Sequence, residues 1–309
     1  QDIQHNIGDI RSVENLTNVI DRNKPDFIFH LAAQPLVYTS YEIPLETIET
    51  NVMGTANILN ICRDFENLSA LVVMASDKCY DNNIETRPHT EEDPMGGFDP
   101  YSASKGSAEL ITNAFRNSFF NKKSQKIGIA TVRAGNVMGG GDWSPYRLIP
   151  DCIKSINSQT DIELRNPNAT RPWQYVLEPI SSILWLTHQI TINPKKFSGG
   201  WNFGPSLEEK FFTVEELVKN ILEKYNSKTS IKIDQHKKLH ESTLLSINPS
   251  KAESQLGIKN ILSMNEIIDE TVSWYNAFHD NQNMKDFSKN QIGSFIQLAK
   301  EKNLPWANL

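Results

Sequence analysis

SALVVMASDKCY (69–80) and DPYSASKGSAEL (99–110) decide how this chain is read. The first is an apolar run of strand length that ends in Ser76, Asp77 and Lys78. Such runs, bounded by turn residues, suit a strand buried on both faces. In the second, Pro100 precedes a helix that carries Tyr101 and Lys105 four residues apart. On a helix those positions share one face, so the phenol and the ammonium enter the same pocket. A free tyrosine has a pKa of about 10 and is a poor base near neutrality. A nearby ammonium favours the phenolate and brings it toward the working range. Ser76, at the strand end, can hydrogen-bond a substrate oxygen from the other side. A YxxxK pair alone is weak evidence, because most chance matches are solvated helix faces. The strand-end serine gives this one its weight.

Outward from there, strand and helix patterns alternate, as a parallel α/β sheet requires. DFIFHLAA (26–33) is a short strand opening into a turn of small residues. Pro44 starts a helix through about Arg63, and KIGIATVRA (126–134) is the next strand after the Tyr101 helix, which runs to about Phe120. Beyond Asn136 turns and prolines multiply. Residues 1–140 are expected to form the sheet domain and 141–309 mainly a smaller lobe, interleaved with the end of the sheet. FTVEELVKNILEKY (212–225) has Thr213 as its cap and Glu216 three residues later, a capping box. NEIIDETVSWYNAF (265–278) is amphipathic, and the last thirty residues are expected to wrap the surface on Phe287, Ile292, Phe295 and Trp306.

Composition excludes several classes. The 309 residues carry 31 Lys and Arg against 37 Asp and Glu, a net charge of −6, which argues against nucleic acid as a bulk partner. No apolar run has the length of a membrane span, and no signal-peptide pattern opens the chain. Cys62, Cys79 and Cys152 are scattered and odd in number, which suits reduced cytoplasmic thiols. His5, His89, His188, His236, His240 and His279 show no metal-ligand spacing, so no metal is expected.

The Ser76, Tyr101 and Lys105 trio resembles the centre of the extended short-chain dehydrogenase/reductase superfamily. HLAAQPLVYTSYEIPLETIETNVMGT (30–55), RAGNVMGGGDW (133–143), RLIPD (147–151), RNPNATRPWQYVLEP (165–179) and WNFGP (201–205) extend the likeness to the C-terminus. In that superfamily, acid and base groups directly after the serine mark nucleotide-sugar 4,6-dehydratases. Most carry Asp-Glu; SDKCY, with Lys, resembles the CDP-glucose 4,6-dehydratase family. The bland alternative for Asp77 and Lys78 is a turn-capping Asp beside a solvated Lys.

The resemblance implies a Rossmann-like, doubly wound parallel sheet with a smaller C-terminal substrate lobe, NAD as cofactor and CDP-glucose as substrate. It implies Tyr101 as base, Ser76 as holder of the sugar oxygen, and Lys105 as tuner of Tyr101. Asp77 becomes the acid for the departing 6-hydroxyl, and Lys78 or a neighbour the base at C5. Asp9, Ile10, Leu31, Ala32 and Ala33, with Tyr101 and Lys105, would hold the cofactor. Gln34, Asn136 and Arg171 would meet the substrate, with Arg147 and Arg165 as alternatives to Arg171. Asn51 would tether loops around the cofactor. Trp143 and Trp173 are open between stacking on the ligand and core packing. A homodimer is implied, through the helix from Pro44 and the Tyr101 helix. Leu45, Ile48, Val52, Ala56 and Leu59 form one stripe for it, and Ala108, Ile111, Thr112 and Phe115 another.

Two departures stand out. VYTSY (37–41) lacks the Arg the family usually has near Tyr38 or Thr39. The GxxGxxG loop that holds a dinucleotide pyrophosphate is also missing. Gly139, Gly140 and Gly141 do not replace it, since Asp142-Trp143 follows them. HNIGDIRSVENLTNVI (5–20) resembles the third strand and helix of the Rossmann half. On that basis about two strand-helix units, on the order of sixty residues, are expected to be missing from the front, and the fragment alone to be inactive. The alternatives are another nucleotide-sugar dehydratase or epimerase, or a non-catalytic fragment.

Overall fold

Strands form here where apolar runs find a neighbour to pair with. The computed structural model describes residues 3–65, 67–81, 87–120, 127–209, 211–233 and 246–308. Its strands are β1 (Phe27–His30), β2 (Ala70–Met74), β3 (Gly128–Ala134), β4 (Val137–Met138), β5 (Ile162–Leu164), β6 (Gln174–Tyr175), β7 (Gly199–Phe203) and β8 (Ile231–Ile233). One sheet runs in the order β1-β2-β3-β7. β1 and β2 are parallel with Phe27 opposite Ala70, and β2 and β3 are parallel with Ala70 opposite Gly128. β3 is buried throughout and β2 almost so, which is why both read as unbroken apolar runs. β1, at the sheet edge, leaves Phe27 46% exposed. Two short parallel pairs, β4 with β6 and β5 with β8, stand apart from this sheet.

Contacts divide the chain into two compact units. The first is Gln1–Ile84, Glu91–Arg133 and Ile183–Trp201; the second is Glu85–Thr90, Ala134–Ser182 and Asn202–Leu309. In the first, Ile20, Ile58, Leu59 and Cys62 pack with Leu71, Val73, Ile127 and Ile129 of the strand segments. The segment from Pro44 is helical to Cys62 but not uniformly: Pro44–Ile48 and Gly54–Cys62 are α-helical and Glu49–Met53 is a π-turn. The Tyr101 helix likewise runs as α from Pro100 to Phe115 and continues as π from Arg116 to Phe120. Around HNIGDIRSVENLTNVI the helix is present, over Val13–Asn23 with Ser12 capping it, but residues 3–9 form no strand and are exposed. A strand exists only as a paired element, and no described strand lies beside them.

The second unit is organised by an aliphatic and aromatic cluster that includes Ile153, Trp173, Tyr175, Leu217, Ile268 and Tyr275. Thr213 and Ser263 close capping boxes on Val214–Lys224 and Met264–His279. The last residues depart from expectation only in part. They form an eighteen-residue helix, Met284–Glu301, that buries Phe295 and Ala299 in the cluster, while Ile292 stays exposed. Phe295 stacks on Trp306 at 5.9 Å, so these two anchor a helix most of whose other residues are exposed. The glycine run serves packing: a Cβ at Gly140 would stand 2.0 Å from the Trp274 ring.

Candidate active site

The carboxyl ends of parallel strands are where ligands of open α/β sheets bind. The residues after β2 turn at once into a short 3-10 segment, Asp77–Cys79. Ser76 caps it: its Oγ accepts from the Lys78 amide at 3.2 Å and donates to Asp77 Oδ1 at 3.1 Å. Ser76 and Asp77 are buried and Lys78 is half-buried.

The helix beginning at Pro100 is set by Asp99, whose carboxylate accepts from the Ser102 amide at 2.9 Å and from its hydroxyl at 2.6 Å. That fixes Tyr101 in the first turn, buried, with its amide donating to Ser40 Oγ at 3.2 Å. Lys105, one turn on, donates from Nζ to the Met74 carbonyl at 3.1 Å, which ties the helix to the end of β2. Burial pushes the Lys105 ammonium down to about 8, with Cys79 and Glu109 pulling the other way.

The turn after β1 is tied to the same helix by Asn51. Its Oδ1 accepts from the Gln34 amide at 2.8 Å, and its Nδ2 donates to the Gln34 carbonyl at 3.1 Å and to Ser104 Oγ at 2.8 Å. Ser104 Oγ in turn donates to the Tyr101 carbonyl at 2.7 Å. Asn51 is the buried residue of the π-turn, a geometry often found near functional sites. The Gln34 side chain is engaged locally, donating to Thr47 Oγ1 at 2.9 Å and accepting from the Leu36 amide at 2.6 Å. His30, buried behind this turn, lies 3.1 Å from Thr55 Oγ1, and burial together with Lys105 pushes its imidazole down to about 4.

A cavity of about 350 Å³ opens beside that turn and brings together Asp9, Ile10, Ala32, Ala33 and Gln34, with Arg11, Glu46 and Thr50. Ile10 is seated over Gly54, where a Cβ would stand 2.5 Å from its Cδ1. The Arg11 guanidinium beside Asp9 holds that carboxyl at about 2 through a bidentate contact, Nε to Oδ1 at 3.0 Å and Nη2 to Oδ2 at 2.6 Å. These residues fit one end of a dinucleotide. The two alanines leave backbone open to close approach, and the ionised Asp9, held by Arg11, lines the same cavity. Leu31 is 59% exposed and does not line the cavity. Arg11 was not among the expected residues; its only sequence signal is the D-x-R spacing in GDIR.

Asn136 and Arg171 belong to the second unit. Asn136 is half-buried and its carbonyl accepts from the Gln174 amide at 2.9 Å. Arg171 is buried, with Nη1 donating to the Thr170 carbonyl at 2.8 Å. Arg147 is paired with Asp142 at 3.1 Å. Trp173 is core, donating to the Phe212 carbonyl at 3.3 Å, whereas Trp143 is 50% exposed against Tyr275 and Phe278. Among the described residues no three His, Cys, Asp or Glu side chains group as metal ligands; His236 and His240 lie outside those residues.

A tyrosine and a buried lysine on one helix, the lysine tied to the end of a parallel strand that a serine follows, match the pattern of the short-chain dehydrogenase/reductase class. The chain belongs to the GDP-mannose 4,6 dehydratase family, whose sequence profile matches residues 1–271. It is 43% identical over 297 residues to the CDP-glucose 4,6-dehydratase of Salmonella typhimurium strain LT2, covering 95% of this chain and 82% of that one. Among solved structures it resembles DesIV, a dTDP-glucose 4,6-dehydratase of Streptomyces venezuelae with NAD bound, at a TM-score of 0.76 and 23% identity over 89% of this chain and 80% of that one. It also resembles the dTDP-glucose 4,6-dehydratase of Bacillus anthracis, at a TM-score of 0.72 and 23% identity over 91% and 81%. The fold is Rossmann-like, and the family places the chain among the nucleotide-sugar 4,6-dehydratases, a class of hydro-lyase.

Proposed function

We propose that the protein dehydrates CDP-glucose to CDP-4-keto-6-deoxyglucose with NAD as a resident cofactor. The observation that carries this is the single turn in which buried Ser76 is followed by buried Asp77 and then Lys78, beside the helix of Tyr101 and Lys105. Asp9, Ile10, Ala32 and Ala33 would hold the cofactor at one end, and Lys105 with Tyr101 at the other. When bound, NAD would supply a reversible hydride acceptor for C4 and C6 of the sugar. Tyr101, as phenolate, takes the proton of the 4-hydroxyl while Ser76 holds that oxygen. The resulting ketone acidifies the C5 hydrogen, which Lys78 or a neighbour removes. Asp77 protonates the departing 6-hydroxyl, so that water leaves. The same base returns a proton to C5 as the hydride comes back to C6, and the 4-hydroxyl proton taken by Tyr101 offsets the one Asp77 gives up, so the net change is loss of water with the redox balance closed within the sugar.

Asn136 and Arg171 are assigned to the nucleotide-sugar. Arg171 suits the pyrophosphate because a guanidinium grips phosphate oxygens as a fork. The three buried thiols, Cys62, Cys79 and Cys152, are free and suit a reducing cytoplasm. No helix among the described residues is long and apolar enough to cross a membrane.

A two-fold homodimer is part of the same reading. Leu45 is 76% exposed, Ile48 43% and Leu110 57%, on the two helices expected to pair. Leu59, Ala108 and Thr112 are buried within this chain and serve its own core, so the exposed positions are the ones to change. Light scattering that gives a monomer at micromolar concentration would contradict the dimer.

A substrate panel on the full-length enzyme tests the activity. Of CDP-, dTDP-, UDP- and GDP-glucose assayed with NAD, CDP-glucose should show the highest kcat/KM. A preference for another nucleotide would move the specificity, and 4-epimerised sugar without loss of water would overturn the dehydratase assignment.

A further inference from the structure

The interior of the first unit holds a charged bridge that the reaction above does not use. Arg133, at the end of β3, meets Glu109 on the Tyr101 helix through two contacts, Nε to Oε1 at 2.7 Å and Nη2 to Oε2 at 2.9 Å. Both side chains are only 5% exposed. Thr131 Oγ1 adds a third bond to Glu109 Oε2 at 2.7 Å. The remaining arm of Arg133, Nη1, donates to Tyr80 Oη at 2.7 Å, and the guanidinium lies 5.0 Å over the Tyr80 ring. Tyr80 is itself buried and directly follows the Asp77–Cys79 turn. β7 makes room for the bridge, since a Cβ at Gly200 would stand 2.5 Å from Arg133 Nη2.

A buried ion pair is poor value for stability, because apolar residues of similar volume do as well or better. It supplies direction. A bidentate fork fixes both distance and rotation, which an apolar contact does not. The two elements it joins already touch closely: a Cβ at Gly106, between Lys105 and Glu109 on the helix, would stand 2.4 Å from the Gly96 carbonyl oxygen and 3.0 Å from that of Cys79.

We infer that Glu109, Arg133 and Tyr80 are positioning residues that fix the turn carrying Asp77 against the helix carrying Tyr101 and Lys105. This rests on the dehydratase reading and refines it. Tyr101 and Lys105 have anchors of their own in Ser40, Ser104 and the Met74 carbonyl. Beyond Ser76 the turn is tied by the Cys79 amide to the Ser76 carbonyl at 3.2 Å, by the Gly96 amide to the Cys79 carbonyl at 2.8 Å, and through Tyr80 to the bridge. Loosening the bridge should therefore impair elimination of water more than oxidation at C4.

The test is Tyr80→Phe, which deletes one hydroxyl and keeps the ring. Reactions with CDP-glucose and NAD are quenched, and mass spectrometry separates 4-keto sugar that retains its 6-hydroxyl from dehydrated product. The retained fraction should rise about fivefold, with KM nearly unchanged. Asp77→Asn provides the reference for a full stall. In parallel, hydrogen exchange at the Lys78 and Cys79 amides should quicken in Tyr80→Phe while the β2 amides keep their protection. An unchanged product ratio, or equal loss of both steps, with unchanged exchange at the turn, overturns the inference. Thr131→Val, which loosens Glu109 from β3, gives the same readouts if Tyr80→Phe does not fold. Should the wild-type enzyme turn over no nucleotide sugar, the functional reading fails, and the exchange data alone decide the role of the bridge.

Discussion

The two units bury different chemistry. In the first, the interior carries charge and directed hydrogen bonds: Arg133 with Glu109, Lys105 on the Met74 carbonyl, and Asn51 between Gln34 and Ser104. In the second, the largest cluster is made of Ile, Leu, Trp, Tyr and Phe side chains around Ile268 and Tyr275. An apolar core of about the right volume gets a chain folded, but its contacts fix position loosely. A satisfied polar network fixes angles and penalises every misplacement. Under the proposed function, the first unit's polar network would hold Ser76, Tyr101 and Lys105 in register beside its own apolar cluster, while the second unit's largest cluster serves mainly stability.

The largest effect that tests this contrast is chemical. Tyr101→Phe keeps the shape of the helix turn and removes the base. Turnover should fall by roughly 10²–10⁴-fold, with the melting temperature moved by less than about 4 °C. Near-normal turnover would sink the assignment of Tyr101, and a large loss of stability would blur the division between the units.

A smaller effect lies in pH. Glu178 is a buried carboxyl of the second unit; one oxygen accepts from the Ile261 amide at 2.8 Å and the Leu262 amide at 3.1 Å. Burial pushes it up to about 7, with Glu209 adding to the rise and Lys302 opposing it. The folded chain therefore keeps a proton that the unfolded chain gives up from about pH 4.5, and this group costs stability as pH rises toward 7. His30 in the first unit has the opposite sign. With its imidazole pushed from 6.5 to about 4, the unfolded chain takes up a proton first, and stability is lost as pH falls between those values. Glu178→Gln keeps the accepting oxygen and removes the titration. Its melting temperature relative to wild type should rise by at least about 3 °C between roughly pH 5 and pH 8. A difference that does not vary with pH would contradict this origin.

Local signals in the sequence were enough for much of this. The apolar runs at 70–74 and 128–134, the Tyr101–Lys105 spacing, and the Thr213–Glu216 box all lie within a few residues of their partners. What escaped was set at long range. Arg133 and Glu109 are 24 positions apart, and nothing near either one announces the other. The π-turn at Glu49–Met53 depends on Asn51 finding Gln34 and Ser104, 17 and 53 positions away. The helix Met284–Glu301 has a sparse apolar pattern; Phe295 was legible as an anchor, while Ala299 was not and Ile292 stays exposed. The segment 3–9, read as a strand only through the family resemblance, forms none, because nothing described pairs with it.

The most direct test of the central claim follows one hydrogen. CDP-glucose deuterated at C4 is turned over by the NAD-loaded enzyme in ordinary water, and the product is read by NMR and mass spectrometry. The account expects deuterium at C6 of a 4-keto-6-deoxy sugar, carried there within a single active site by the groups around Ser76, Asp77, Tyr101 and Lys105. Deuterium lost to solvent, or returned to C4 of an epimer with the 6-hydroxyl still in place, would contradict it.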